Sequence, residues 1–404
     1  MRWLRDALDQ RRQSHRKESK VTMMPNGLSG HLSENVASFC RDHVARQAAE
    51  WEQKRHYPVE AMLAAGKAGL TGLMVPAERG GLGLSLKDTC EVVSVVASHD
   101  LGMAFALKVH ANFTASLATS DNLACRDYLD DLLAGRLIGA FLLTEPGAGS
   151  DATAITTTAR RDGDGWVIDG EKAWITNGVA AGLLKVFAQT DPSLGWRGIA
   201  AFLVKGDAQG LERLPAYGMM GGHSSGACGM RFTGVRVAES AMIHAPGDAF
   251  KGAMKGINIA RAGVAAMSCG MMQSALDHAL SSVTARNAFG GTLGDMQGIQ
   301  WMLADVATDL EAARLLAREA VEVFDRGEDA MIACAHAKKF ATRVAWKAIA
   351  DCMQVMGARG FRIDSGHPVA RHLACAKMAQ WLDGATEVQN VVIGRDLIKR
   401  AGNG

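Results

Sequence analysis

Apolar residues follow two rhythms along this chain, and the changes of rhythm divide it into three regions. From residue 31 to about 140 the spacing predicts helices, punctuated by Leu70-Thr71-Gly72-Leu73-Met74-Val75-Pro76 and the glycine-rich Gly80-Gly81-Leu82-Gly83. Within it, Cys90 to Leu117 is apolar with few charges and no proline, as expected of helix enclosed by a multi-helix core. From 141 to 247 the rhythm shortens. Thr156-Thr157-Thr158 leads to Asp162-Gly163-Asp164-Gly165, then Trp166-Val167-Ile168, Asp169-Gly170 and Ala173-Trp174-Ile175-Thr176. Asp-Gly pairs between β-prone runs are hairpin signals, and further β-prone runs begin at Lys185, Ile199 and Met230. A β domain of short antiparallel strands is predicted there. From 248 to 404 helical spacing returns: Leu303, Val306, Leu310, Ala313, Ala317 and Ala320 line one face of a long helix. Similar stripes at about 252–285, 329–356 and 386–400 predict four long helices in an antiparallel bundle. The fold class is therefore α+β and multidomain.

Composition narrows the function. With 404 residues, 48% apolar and 21% charged, the chain is long enough for several cores, which excludes disorder for its bulk. Forty-four basic residues against 42 acidic exclude an electrostatic nucleic-acid binder. The small excess sits in residues 1–20, where seven basic side chains meet three acidic ones. Residues 1–30 read as a disordered tail, and Met23 and Met24 mark alternative starts. No run of about 18 apolar residues predicts a membrane span, and the N-terminus lacks a signal-peptide core. Eight scattered cysteines without a C-x-x-C pair suit reduced, buried thiols in a cytoplasmic protein, with no metal site and no disulfide framework.

Common nucleotide and metalloprotease motifs are absent: no G-x-G-x-x-G after a strand, no P-loop and no H-E-x-x-H. Gly222-His223-Ser224-Ser225-Gly226 spells G-x-S-x-G, with His278, His336 and His367 as nominal partners. A nucleophile elbow needs a strand before it and a helix after it. Here glycine and methionine precede the motif and the β-like Met230-Arg231-Phe232 follows, so it reads as a glycine-rich loop. More informative is Leu143-Thr144-Glu145-Pro146-Gly147-Ala148-Gly149-Ser150-Asp151, followed by Lys172-Ala173-Trp174-Ile175-Thr176-Asn177. The first is a strand end running into a turn of small residues, whose hydroxyls and backbone N–H groups suit a flat polar ligand or a phosphate. The second ends a strand with an indole beside a threonine hydroxyl, suited to covering a ring face and bonding its edge.

These two segments, in this order, resemble the signatures of the acyl-CoA dehydrogenase family over nearly all of residues 31–400. Later landmarks agree: Phe250 to Arg261, Arg286 with Phe289-Gly290, Met296-Gln297, Gln354 to Phe361, and Pro368 through Arg395. The resemblance implies an N-terminal α-helical domain, a middle antiparallel β-barrel and a C-terminal four-helix bundle. It also implies FAD at a subunit interface of a homodimer or homotetramer. Phe141, Leu143, Thr144, Ser150, Trp174, Ile175 and Thr176 would contact the flavin ring and ribityl chain, with Ala385 and Glu387 nearby. Arg286, Phe289, Met296 and Gln297, with the Gln354, Gly357 and Ala358 turn of a neighbouring subunit, would bind pyrophosphate and adenosine. Ser150, Asn258, Arg261 and Arg395 fall where the family contacts substrate or its CoA. The implied substrate is an acyl-CoA or a carrier-protein thioester, and the implied electron acceptor is an electron-transfer flavoprotein.

The family reaction removes a proton from the carbon next to a thioester carbonyl while hydride passes from the next carbon to flavin. It needs a carboxylate base and hydrogen bonds that stabilise the developing enolate. Where the family has glutamate in a Y-E-G-T segment, this chain has Leu382-Asp383-Gly384-Ala385, which makes Asp383 the implied base. The alternative family position for a base holds Ala260. Aspartate is shorter by one methylene, and misplacement by about 1 Å costs on the order of 100-fold in rate. Ala385 replaces a flavin-bonding threonine, and Ala374-Cys375-Ala376 replaces the usual R-D-A. A second reading resembles the nitroalkane oxidase branch, which uses aspartate as base; that branch has an arginine where this chain has Asn390. A third is a non-catalytic paralogue acting as an assembly partner.

Overall fold

The computed structural model describes Leu28, residues 30–364 and residues 366–402. Most of the expected tail lies outside these residues. The N-terminal region is helical: α1 (Gly30–Phe39), α2 (Ala48–Lys54), α3 (Val59–Lys67), α4 (Leu86–Ala97), α5 (Leu101–Ala118) and α6 (Leu129–Leu133). Ser85 caps α4 by accepting from the Asp88 N–H, and Asp100 caps α5 by accepting from the Met103 N–H. The apolar stretch noted in the sequence becomes these two helices, and α5 is buried on nearly every face.

Eight strands follow: β1 (Gly139–Leu142), β2 (Thr158–Asp162), β3 (Gly165–Ile175), β4 (Leu183–Gln189), β5 (Ile199–Lys205), β6 (Leu211–Ala216), β7 (Cys228–Ala238) and β8 (Met242–His244). The middle region is a mixed sheet of order β6-β7-β3-β2-β4-β5-β8, with β1 pairing β4, and the expected strands are there without the closure of a barrel among the described residues. Two antiparallel groups meet at β4, which is parallel to both β1 and β2. The physical reason is connectivity: the β2–β3 hairpin intervenes between β1 and β4, so β4 joins β1 after a crossover and not through a direct hairpin. No pairing among the described residues joins β6 to β8.

The C-terminal region opens with α7 (Asp248–Ala285) and a small hairpin, β9 (Asn287–Ala288) and β10 (Gly291–Thr292). It continues with α8 (Gln297–Asp325), α9 (Met331–Met356), the short α10 (Ala358–Phe361), α11 (Val369–Ala379) and α12 (Thr386–Gly402). The four predicted long helices are α7, α8, α9 and α12, and α9 packs against the other three. One continuous apolar core joins the N-terminal helices to this bundle, because α4 packs along α7. Gly270 makes that crossing close: a Cβ there would strike the Ser94 carbonyl oxygen on α4.

All eight cysteines are buried and unbridged, and burial pushes Cys40, Cys90, Cys269 and Cys352 up to about 12. Folded protein is therefore expected to resist a thiol reagent at neutral pH and to titrate eight thiols after denaturation. Reaction of any thiol in the folded state would contradict this packing.

Candidate active site

The loop between α11 and α12 carries Asp383 and Gly384, both with positive φ, +51° and +96°. Aspartate visits this region more readily than most residues, yet it is strained there and needs the surroundings to hold it. Three side chains do so. Arg261 on α7 donates from Nε to the Asp383 carbonyl (3.1 Å), Lys338 on α9 donates to the carbonyls of Gly384 (2.7 Å) and Gln380 (2.6 Å), and Gln389 donates to Gly384 (3.0 Å). Arg261 also donates to Asn258 Oδ1 at 2.6 Å, one helical turn away. Burial pulls Lys338 down to about 8 and lowers Arg261 as well, in each case against the opposing pull of Asp383. With the backbone so fixed, the Asp383 carboxylate meets the ammonium of Lys108, Nζ to Oδ2 2.7 Å.

Lys108 comes from the middle of α5 and is 4% exposed. It shares a cavity of about 10 Å³ with Leu86, Thr89, Cys90 and Val93 of α4, Asn112 of α5, and Ile259 and Gly263 of α7. Ile259 also lines a much larger groove, about 770 Å³, with Trp196, Phe250, Lys251, Lys255, Asn258 and Cys334 among its walls. Ile259 is thus common to the groove and to the small chamber, and Lys108 ties the chamber to Asp383. Its charged walls are Lys251 and Lys255 on α7 with Glu328 and Asp329 between α8 and α9, so the two lysines are its candidate contacts for a phosphorylated carrier group.

The two signature segments are tied together by a buried ion pair. Lys172 on β3 donates to Glu145 Oε1 (2.8 Å) and to the Leu143 carbonyl (3.1 Å). Glu145 also accepts from the N–H of Thr156 (2.6 Å) and of Thr157 (2.9 Å) and from the Thr156 hydroxyl (2.8 Å). The side chains of Lys172 and Glu145 are 0% and 3% exposed. Burial alone would raise the Glu145 carboxyl; the Lys172 charge and these hydrogen bonds outweigh it and bring it down to about 2. A carboxylate depressed in the folded state stabilises the fold fully above its unfolded value, here near 4.5, and loses that contribution as pH falls towards about 2. Urea stability is therefore expected to drop through this window, and Glu145→Gln to flatten the drop. An unchanged acid limb in Glu145→Gln would contradict the assignment.

Asn177 closes the second segment. It is fully buried at φ +66°, donates to the carbonyls of Ala106 and Gly139, and accepts from Tyr57 Oη. Together these contacts fix β3 against β1 and α5. Trp174 is instead 61% exposed at φ +59°, its ring centroid 4.4 Å from that of Tyr217. An exposed indole on a strained backbone fits a flat ring laid against it.

The expected site residues fall into three groups. Phe141, Leu143, Thr144, Ser150, Trp174, Ile175 and Thr176 gather where β1 and β3 run side by side, linked by the Ala173 N–H donating to the Thr144 carbonyl at 2.9 Å. Ile175 and Leu143 turn their side chains into apolar cores, which leaves their backbones to meet a ligand. Asp383, Asn258 and Arg261 form the second group. The third is Arg286, Phe289, Met296, Gln297, Gln354, Gly357 and Ala358 at one end of the bundle, where Gly357 (φ +63°) lies beside the Arg286 guanidinium. Phe289 stands at the β9–β10 turn, 96% exposed at φ +54°. Ala385 precedes α12, while Glu387 and Arg395 lie exposed along it.

Sequence reasoning missed Lys108, the Glu145–Lys172 pair and Thr386, whose buried hydroxyl has no hydrogen-bond partner one residue after Ala385. The available signal for Lys108 was a lone lysine inside an apolar helix. The G-x-S-x-G segment is not a nucleophile site: Ser224 donates to Asp100, His223 pairs with Glu52, and a 3-10 turn leads into β7 rather than a helix.

Family models described as acyl-CoA dehydrogenase N-terminal, middle and C-terminal domains match residues 30–136, 140–235 and 247–398. The probable acyl-CoA dehydrogenase FadE25 of Mycobacterium tuberculosis is 34% identical over 367 residues, covering 90% of this chain and 94% of its own. The mitochondrial short-chain specific acyl-CoA dehydrogenase of Bos taurus is 33% identical over 368 residues, covering 89% and 88%. Among solved structures, butyryl-CoA dehydrogenase from Megasphaera elsdenii superposes with a TM-score of 0.87 at 31% identity, covering 92% of this chain and 99% of that one.

Proposed function

The chain belongs to the acyl-CoA dehydrogenase family, and from that premise we propose an FAD-dependent oxidoreductase in which Asp383 begins the dehydrogenation of an acyl thioester to its α,β-enoyl product. The observation that carries the role of Asp383 is its carboxylate, held on a strained loop and paired with Lys108, a wall of the inner chamber. Asp383 Oδ takes the proton from the carbon next to the thioester carbonyl. Its backbone N–H donates to that carbonyl and stabilises the enolate oxygen as charge develops there. Arg261 and Lys338 hold the loop carbonyls, which keeps the carboxylate aimed although its side chain is one methylene short. Asn258 and Arg261 border the path of the thioester, and Lys251 and Lys255 line the groove that takes the carrier group.

Trp174, Thr176, Ser150 and the Thr144 backbone would hold the flavin ring and its chain, and Thr386 offers a hydroxyl where Ala385 has none. Bound FAD supplies the acceptor for the hydride leaving the second carbon. Arg286, Gln297 and the Gln354–Ala358 turn would bind the pyrophosphate and adenosine end. Phe289, Phe361, Leu397 and Ile398 all stand exposed on the C-terminal region, which supports a homodimer or homotetramer with the cofactor at the subunit contact. Electron-transfer flavoprotein is the proposed electron acceptor. Among the described residues no helix is long and apolar enough to cross a membrane, and we place the enzyme in the cytoplasm.

The test is product analysis. FAD-loaded protein incubated with an acyl-CoA and an artificial electron acceptor should yield the enoyl thioester, lighter by two hydrogens. Unaltered thioester across a panel of chain types would overturn the reading.

A further inference from the structure

The inner chamber is unusual for a site that would receive a hydrocarbon chain. Its apolar walls, Leu86, Val93 and Ile259, are interrupted by Thr89, Lys108 and Asn112. The hydroxyl of Thr89 is buried, with the residue 4% exposed, and has no hydrogen-bond partner. A buried hydroxyl in that condition costs on the order of 1–3 kcal/mol unless something bonds it. Lys108 is accommodated on purpose rather than by accident: Gly263 on α7 leaves the space its stem occupies, and a Cβ there would lie 2.6 Å from Lys108 Cε. Charge points the same way. Lys108, Arg261 and Lys338 surround Asp383, so the buried cations outnumber the one carboxylate they face. Arg261 bonds the Asp383 carbonyl and Asn258, and Lys338 bonds two loop carbonyls, whereas Lys108 is itself a wall of the chamber.

Resting on the acyl-thioester reading above, we infer that this chamber recognises a carboxylate at the far end of a short acyl chain, with Lys108 as the specificity-determining residue and Thr89 and Asn112 as further donors. An ammonium, a hydroxyl and an amide match the several acceptor sites of a carboxylate. An alkyl tail would instead leave all three without a new partner and bury the ammonium against hydrocarbon. The length follows from the geometry. Asp383 must reach the carbon next to the thioester carbonyl, and Lys108 Nζ lies only 2.7 Å from its carboxylate. The group that Lys108 binds is therefore only a few bonds further along the chain. The substrate class is a four- or five-carbon dicarboxylic acyl thioester, and the distal carboxylate draws Lys108 away from Asp383 as it binds.

The test compares ligands of equal length with and without the carboxylate. Equilibrium binding of glutaconyl-CoA and pentenoyl-CoA to the FAD-loaded protein needs no turnover, and oxidation of glutaryl-CoA and pentanoyl-CoA is followed alongside. The wild type is expected to bind glutaconyl-CoA at least tenfold more tightly, and to oxidise glutaryl-CoA with at least a tenfold higher kcat/KM. Lys108→Met should erase or reverse both preferences, and Lys108→Arg should keep the sign of both. Gly263→Ala, which crowds the lysine stem, should weaken them and serves as a second variant if Lys108→Met does not fold. Equal or tighter binding of pentenoyl-CoA by the wild type would overturn the inference while leaving the dehydrogenase reading in place. A preference that survives in Lys108→Met would overturn it too. Binding of neither ligand would overturn the inference, and the panel of chain types described above then decides the dehydrogenase reading separately.

Discussion

Asp383→Asn is expected to slow oxidation of an acyl thioester by about 10²–10⁴-fold, the range a positioned general base supplies. Asparagine is nearly isosteric and keeps the backbone carbonyl that Arg261 holds, so the loop should stay in place. What it loses is the basic oxygen, together with the charge that faces Lys108. The measurement is the single-turnover rate with FAD bound, beside a circular dichroism spectrum and cofactor content to show that the protein is intact. A rate within a few-fold of wild type would remove Asp383 from the chemistry. Asp383→Glu adds the missing methylene but must crowd Lys108, so a gain in rate there would show that the loop had not compensated for the shorter side chain.

The second large effect concerns stability. Lys172→Met is expected to destabilise the fold by about 3–5 kcal/mol, because removing one partner leaves a buried charge uncompensated. Glu145 would keep its hydrogen bonds from Thr156 and Thr157 and lose the ammonium that offsets its burial. Methionine fills the same space, so cavity formation adds little. Urea denaturation followed by fluorescence reads the loss directly. A change under about 1 kcal/mol would mean that the backbone donors alone suffice for Glu145. The double variant Lys172→Met with Glu145→Gln should recover part of the loss, since the surviving group is then neutral.

Local pattern carried much of the architecture. The stripe from Leu303 to Ala320 became the buried face of α8, and Asp162-Gly163-Asp164-Gly165 became the turn of the β2–β3 hairpin. Both are legible because helical spacing and hairpin turns are set by residues close in sequence. The parallel pairing of β1 with β4 was not legible, since it is decided by a contact across some forty residues.

The resemblance assigns ligand contact to Leu143, Thr144, Ser150, Trp174, Ile175 and Thr176 and gives no role to Glu145, Lys172 or Asn177 of the same segments, which the structure supplies. Trp174 stays exposed for a ligand, while Glu145, Lys172 and Asn177 are buried and hold the two strands together. Nothing in a one-dimensional string separates these roles, because burial belongs to the folded sheet. Lys108 was hidden for a related reason. Its helix read as apolar, and one lysine in such a run gives no sign of the carboxylate 275 positions away. Asp383 itself was marked by the resemblance, but its strained backbone and its grip by Arg261 and Lys338 came from the fold alone.

The most direct measurement is anaerobic mixing of the FAD-loaded protein with acyl-CoAs of different chain type while the flavin absorbance is followed. The account predicts bleaching by at least one short acyl-CoA, with formation of the matching enoyl thioester and loss of bleaching in Asp383→Asn. Flavin that dithionite reduces but no acyl-CoA bleaches, in a protein that nitroalkanes do bleach, would contradict it.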